Sequence, residues 1–485
     1  METNRREFLK GTAWMGAAAL AAGCTGPGFG FGEGGTMCGY AAPALKHIRV
    51  GVVGLGNRGP GAVHRLAMIP GVTVTALCDY RAEKVAKQQQ WLKDNAKPPA
   101  REFVGEEGYK ALCDSNVVDV VYVATDWAHH AEVGLRALRS GKHAFIEVPS
   151  AMTVDECWEL VETSEATKLH CMQLENACYG EEEMLGLNIV RLGLLGELVH
   201  GEGGYIHDLR RHCYNEPDKG GYWNDWRLRW NMEHKGNQYT THGLGPICQY
   251  MDINRGDRFD YLVSLESNQA NFEYWGRRFA PNAWKKDAKV EMGDMNTTLI
   301  KTKRGRSILL QHDVSSPRPY TRHNLVSGTK GTFYGMPWRL YEEGKTSMQV
   351  FLDDPSGKGS AVHKFMDEKA RAEFREKYRH PLWKTVGEIA KVVGGHGGMD
   401  FIMDLRWAYC LQNGLPLDMD VYDLASWCSV AELSEKSVRS GSKPHDVPDF
   451  TRGKWRTAKP LGIVDVDLKK MRFLSVTKDK SALTA

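Results

Sequence analysis

A β-branched run from Ile48 to Val53 opens directly into Gly54-Leu55-Gly56-Asn57-Arg58-Gly59, and this feature restricts the fold more than any other in the chain. After a strand, the first glycine of G-x-G-x-x-G allows a tight turn. The second lets backbone approach a pyrophosphate, and the third lets the following helix pack on the strand. Amides at that helix's N-terminus then receive the phosphate charge. A second strand-like stretch, Val72 to Leu77, leads to Asp79, which follows Gly59 by 20 residues (79 − 59). A carboxylate at that distance accepts the ribose hydroxyls and repels a ribose phosphate, so the spacing predicts NAD rather than NADP. A glycine-rich turn with no ligand is the weaker reading once both strands and the acid are in place.

Strand and helix patterns keep alternating. "VVDVVYVATDWAHHAEVGLRALRSGKHAFIEVPSAMTVDECWELVE" predicts a buried strand, a loop, a helix and a further strand from His143 to Val148. Thr153 with Glu156 has the spacing of a capping box for the next helix. The loop "TDWAHH" lies at the C-terminal end of a strand, where doubly wound sheets bind ligands, so Trp127 and His130 are expected to border the cofactor; capping and packing are the plainer role for both. After residue 172 the pattern changes. "GEEEMLGLNIVRLGLLG" reads as a helix, and "ELVHGEGGYIHD", "FDYLVSLESN", "TTLIKTKRGRSILLQHDV" and "GTKGTFYG" read as strands, with a hairpin at Lys303-Arg304-Gly305-Arg306. The expected fold class is α/β. A Rossmann-type doubly wound parallel sheet spans 46–172, and an α+β domain with an open, largely antiparallel sheet spans 173–440. A helix pair around "GGMDFIMDLRWAYCLQNG" and "VYDLASWCSVAELSEKSVRS" is expected to pack back, before an irregular tail over 441–485.

With 63 basic against 60 acidic residues, the net charge of +3 is too balanced for a nucleic-acid binder. The N-terminus carries an address. Charged "NRREFLK" precedes the small-residue apolar run "GTAWMGAAALAAGC", which is too short for a membrane span. Arg5-Arg6 followed by Phe8-Leu9-Lys10 resembles a twin-arginine signal, so 1–24 is read as an export signal. "AAGC" ending at Cys24 resembles a lipoprotein cleavage box, which sets a lipid anchor at Cys24 against ordinary cleavage. The expected location is the periplasm, or the outer side of a membrane. Glycine-rich 25–45 reads as a flexible linker. The 11 cysteines contain no C-x-x-C pair, and mostly buried thiols are expected. The 14 Trp and 18 Tyr suit a sugar-binding surface as well as a large core.

The glycine motif, "ATDWAHH" and "GKHAFIEVP" together resemble the Gfo/Idh/MocA oxidoreductase family, from about residue 46 to about residue 440. Within it, "GGYIHDLR", "GYWNDWRLRWN" and "GNQYTTHGLGP" resemble glycoside hydrolase family 109, whose members are NAD-dependent α-N-acetylgalactosaminidases. The resemblance implies cofactor contacts at Gly54, Gly56, Asn57, Arg58, Gly59, Asp79, Trp127, Ala128, His129, His130, Glu147, Val148 and Asn176. It implies sugar contacts at Tyr205, Arg227, Tyr239, Thr240, Thr241, His242 and Tyr320, for a substrate with terminal N-acetylgalactosamine. It also implies self-association through the open sheet. Two positions depart from the pattern. Val148 stands where the wider family has a proton-transferring lysine, and Thr240 stands where the hydrolase branch often has proline.

The chemistry implied is oxidation at the 3-position of the sugar, removal of the acidified neighbouring proton, elimination of the aglycone, addition of water and return of the hydride. No pair of carboxylates in the sequence marks an ordinary glycosidase, and NAD-dependent hydrolysis is a recognised exception to the two-carboxylate scheme. An export signal agrees with a cycle that regenerates its NAD. His242 fits as the general acid or base at neutral pH, with Tyr239 as partner or rival base; a turn histidine satisfied by backbone is the alternative. Its neighbours lack metal-ligand spacing, and no metal is expected. Two other functions stay open, an exported NAD(P)-linked sugar or inositol oxidoreductase and a non-catalytic carbohydrate-binding lipoprotein.

Overall fold

The computed structural model describes residues 35–337, 347–354, 356 and 364–471; the leader with Arg5, Arg6 and Cys24, and residues 25–34, lie outside them. The first sheet has six parallel strands: β1 (Ile48–Val53), β2 (Val72–Asp79), β3 (Arg101–Val104), β4 (Val120–Val123), β5 (His143–Ile146) and β6 (Cys171–Gln173). Their order is β3-β2-β1-β4-β5-β6. Chain direction across the sheet reverses between β1 and β4, and there the C-terminal strand ends leave a crevice. Both faces are covered, so β4 and β5 are buried at every residue, and β4 reads as an unbroken apolar run rather than an alternating one. The capping box forms as expected. Glu156 N–H donates to Thr153 Oγ1 at 3.1 Å, and Thr153 N–H to Glu156 Oε2 at 3.0 Å.

The second sheet has eight strands: β7 (Leu198–Ile206), β8 (Phe259–Glu266), β9 (Asn296–Thr302), β10 (Ser307–Asp313), β11 (Thr321–Gly328), β12 (Gly331–Met336), β13 (Gln349–Leu352) and β14 (His445–Asp446). Their order is β13-β12-β11-β7-β10-β9-β8-β14. Neighbours are antiparallel except the central pair, where β10 runs parallel to β7. The hairpin of β9 and β10 turns at Gly305, whose φ of 88° is a conformation glycine adopts freely. Helices Glu181–Arg191 and Thr241–Tyr250 cover one face, while Tyr261, Leu265 and Leu299 on outward positions stay exposed.

The boundary at 172 and 173 divides the chain but not the core. Helices Met399–Asn413 and Val421–Arg439 return to cover the first sheet. Trp407 stacks on Phe145 of β5 at 4.6 Å between ring centres, Arg65 pairs with Asp404 at 2.8 Å, and Tyr422 and Cys428 join the core around Cys157 and Leu160. Part of the stretch read as a flexible linker is also packed. Met37 is buried, its N–H donates to Tyr422 Oη at 3.0 Å, and Ala42 N–H donates to His170 Nε2 at 3.2 Å. This packed part, "MCGYAA", follows directly on the glycine-rich run. Of the tail, residues 441–471 are described; there β14 pairs with β8, and Phe450 and Trp455 are buried. Among the described residues ten cysteines are free thiols, all buried but Cys38, and no helix is long and apolar enough to cross a membrane.

Candidate active site

The glycine turn at the end of β1 is shaped by close approaches. A Cβ on Gly54, whose φ is 91°, would lie 2.5 Å from Ala124 O, and one on Gly59 would lie 1.9 Å from Gly54 O. Neither position admits a side chain. At Gly56 a Cβ would meet nothing nearer than Arg81 Nη2 at 4.0 Å. Packing therefore does not demand a glycine at 56; an approaching pyrophosphate does. Asp79 is buried at the end of β2, and its Oδ2 accepts Leu55 N–H at 2.8 Å, which ties this carboxylate to the turn.

Arg58 precedes the helix Gly59–Leu66 and is fixed by two carboxylates, Glu147 at 3.0 Å and Asp400 at 3.1 Å. Tyr122 Oη donates to the same Glu147 oxygen at 3.1 Å. Asn176 Nδ2 donates to the other oxygen of Asp400, while Asn176 Oδ1 is buried without a hydrogen-bond partner. An orphaned carbonyl beside the crevice has the chemistry to accept an amide or hydroxyl proton from a nucleotide. The glycine cradle, the acid and this acceptor together fit NAD.

The other wall comes from the second domain. "THGLGP" has the glycine and proline content of a turn, but residues 241–250 form a helix, with His242 in its first turn and Pro246 inside it. The glycines serve contact rather than turning. A Cβ on Gly243 would lie 2.5 Å from Gly204 N, and one on Gly203 would lie 2.1 Å from Gly243 O. The helix thus lies directly on the backbone of β7, two residues from Tyr205. Gly245 meets Cys178 and Glu175 in the same way, at 2.8 Å each.

Glu175 decides the orientation of His242. It follows β6, is fully buried, and sits 2.7 Å from His242 Nδ1. Burial pushes its carboxyl up, but His242, Thr241 and the Ala177 N–H more than offset this and hold it below its ordinary value. The imidazole is thereby a donor at Nδ1, which leaves Nε2 for a substrate. Tyr239 lies with its ring 4.9 Å from His242 and 4.3 Å from Tyr205. Burial holds the Tyr239 phenol well above its usual value, with Arg227 pulling the other way and losing. Tyr239 is therefore a neutral donor.

Arg227 is buried among aromatic faces, with its Cζ 4.6 Å from the Trp127 ring and 5.2 Å from that of Tyr239. Nη1 donates to Tyr222 Oη at 3.3 Å, whereas Nε and Nη2 have no partner. A buried guanidinium with open donors is an acceptor site for an oxygen bearing negative charge. Tyr320 closes the cluster, edge-on to Tyr205 at 6.2 Å.

Trp127, Tyr205, Arg227, Tyr239, His242 and Tyr320 are thus brought together. Other expected residues are held by contacts of their own. The Thr240 hydroxyl donates to Trp427 O at 2.6 Å and anchors the helix start, and Thr241 Oγ1 is buried. His130 has both ring nitrogens on backbone oxygens, Pro149 O at 2.7 Å and Thr125 O at 3.0 Å, so it holds the loop. Ala128 and His129 are exposed, His129 pairing with Asp126 at 2.6 Å. Val148 packs with Trp127 and Tyr239 in one apolar cluster. Asn57 has no side-chain contact that separates it from its neighbours in the turn. Sequence reasoning missed Glu175 and Asp400. Glu175 was open to discovery, because it adjoins Asn176 at the C-terminal end of a sheet strand; Asp400 lies more than 200 residues away in the chain and carried no signal.

Both domains have counterparts among known proteins. A model of the oxidoreductase family with an NAD-binding Rossmann fold matches residues 48–174, and one of the glycosyl hydrolase 109 C-terminal domain matches residues 179–457. Glycosyl hydrolase family 109 protein 2 of Phocaeicola vulgatus is 45% identical over 418 residues, covering 85% of this chain and 97% of that one. A family 109 protein of Solibacter usitatus is 44% identical over 464 residues, covering 95% and 100%. Among solved structures, levoglucosan dehydrogenase in complex with NADH and levoglucosan shares the fold with a TM-score of 0.59 at 16% identity, over 83% of this chain and 100% of that one. The aldose-aldose oxidoreductase of Caulobacter crescentus gives a TM-score of 0.57 at 17% identity, over 83% and 100%. The chain therefore belongs to glycosyl hydrolase family 109, built on an NAD-binding Rossmann domain.

Proposed function

We propose that this protein removes terminal α-linked N-acetylgalactosamine from glycans, and that it does so outside the cytoplasm. The observation that carries the reading is the Glu175–His242 pair facing Tyr239, Tyr205 and Arg227 across from the NAD crevice. Gly54, Gly56, Gly59, Asp79 and Asn176 would hold NAD, which when bound supplies a reversible hydride acceptor for a sugar carbinol. A sugar carbon next to a ketone loses its proton far more readily than one next to a carbinol. His242 Nε2 is the group suited to take that proton, because Nδ1 is already committed to Glu175. Arg227 offers two unpartnered nitrogens, Nε and Nη2, to the oxygen on which the resulting negative charge gathers. Tyr239, neutral and 4.9 Å from the imidazole between ring centres, is suited to protonate a leaving or returning oxygen. Expulsion of the aglycone, addition of water to the alkene and reversal of the first step return sugar and cofactor to their starting oxidation states.

The twin-arginine-like leader and the cleavage box at Cys24 support export with a lipid anchor, and the exposed outer face of the second sheet supports self-association. A cycle with no net redox change suits a compartment poor in free nucleotide. The test is hydrolysis of an aryl α-N-acetylgalactosaminide by desalted protein with no NAD added. Release of aglycone without accumulation of NADH is the expected result. Stoichiometric NADH with free sugar would instead assign a sugar oxidoreductase, and neither product would leave a binding protein.

A further inference from the structure

The nucleotide site is crossed by a contact that the glycine motif does not foretell. Asp79 Oδ1 accepts the N–H and Nε of Arg81, at 2.9 and 3.3 Å. The guanidinium therefore lies over the ribose carboxylate, and its Nη2 is also the atom nearest the open side of Gly56, 4.0 Å from where a Cβ would sit. Its Cζ stands 4.1 Å over the ring of Trp223 and 5.3 Å from that of Tyr80. Trp223 belongs to the second domain, in the loop before the helix Trp226–Glu233. One face of the crevice is thus spanned from one domain to the other, at the ribose end.

The loop is set to hold this position. Asn224 and Asp225 both take left-handed backbone conformations, with φ of 51° and 53°, a region Asn and Asp adopt more readily than other side-chain-bearing residues. Lys285 is fully buried and supplies the fixing group. It forms an ion pair with Asp225 at 2.6 Å and donates to Tyr214 O at 3.1 Å. The same loop carries Tyr222, which accepts from Arg227 at 3.3 Å. Trp223, 41% exposed, is a large apolar ring held at the surface by an anchored loop, and its partner is the cation on the ribose acid.

We propose that Trp223 and Arg81 form a clasp over the adenosine-ribose end of the NAD site that retains the nucleotide between turnovers. Retention is what a cofactor regenerated in each cycle requires, and the proposal depends on the NAD site rather than on the identity of the sugar. The planar guanidinium is essential to it. A lysine at 81 would keep a charge near Asp79 but lose the flat face that stacks on the indole.

The test uses the full chain, loaded with NAD and desalted, with nucleotide release followed by rapid filtration after dilution. Trp223→Ala and Arg81→Lys should each release NAD roughly 5- to 30-fold faster, the span expected for a partly desolvated cation–π contact. Trp223→Phe, which keeps an aromatic face, should recover most of the retention. Melting of the nucleotide-free proteins separates a lost clasp from a misfolded loop; if Trp223→Ala does not fold, Arg81→Lys decides the matter alone. Release at the parent rate from either folded variant overturns the proposal.

Discussion

With Nδ1 of His242 bonded to Glu175 at 2.7 Å, only Nε2 is left to exchange a proton with a substrate, and Tyr239 beside it is kept neutral by burial. Replacing His242 with alanine should lower turnover about 10²- to 10⁴-fold, the usual range for a general acid or base, while bound NAD stays at the parent level because the glycine turn is untouched. Glu175→Gln keeps the shape and removes the charge that fixes the tautomer, so turnover should fall there too, with NAD again retained. A large loss in Tyr239→Phe combined with near-parent turnover in His242→Ala would move the base role to the tyrosine. At this scale the sequence was informative about residue types and silent about partners. The glycines and Asp79 were legible because a strand-turn-helix unit fixes them locally. Glu175 and Asp400 act through contacts 67 and 342 residues apart in the chain, to His242 and Arg58, and no local pattern encodes them.

Among elements, the helix Thr241–Tyr250 shows how a local rule can point the wrong way. Gly243, Gly245 and Pro246 have turn composition, yet a Cβ has no room at Gly243 against β7 or at Gly245 against Cys178 and Glu175. The segment before β1 was misread for the opposite reason, since its packed part, Met37 to Ala42, follows a glycine-rich run. Its docking makes a pH-dependent prediction. His170 Nε2 accepts Ala42 N–H at 3.2 Å, and His143 Nδ1 accepts His170 N–H at 3.0 Å, so both rings must be neutral. Burial lowers His143 from 6.5 to about 4, and burial with the neighbouring His143 lowers His170 to about 3. The unfolded chain then binds these protons first. The stability they contribute is complete above pH 6.5 and is lost as pH falls toward 4, at up to about 1.4 kcal/mol per pH unit for each ring. Melting curves should therefore fall less steeply over that window in His143→Gln or His170→Gln than in the parent. Equal slopes would show that these rings do not titrate on unfolding.

The whole molecule places an NAD crevice, built by the first sheet, against an aromatic pocket built on β7 and the helix beside it, and fastens the two with Arg58–Asp400 and with helices that return from the C-terminal end. The parallel sheet and the open, largely antiparallel sheet were both legible from strand and helix periods. The return of the C-terminal helix pair was expected too; that it covers the first sheet and joins the two domains' cores was not, because it depends on which apolar helix faces find each other late in the chain. Family membership and this juxtaposition support a glycosidase that borrows a redox cofactor without spending it. The most direct test of that claim is to hydrolyse an α-N-acetylgalactosaminide in heavy water and examine the released sugar by NMR or mass spectrometry. The account predicts one deuterium at carbon 2, with bound NAD unchanged in amount and oxidation state. Product carrying no deuterium at that carbon would contradict proton removal beside a transient ketone, even if hydrolysis itself were confirmed.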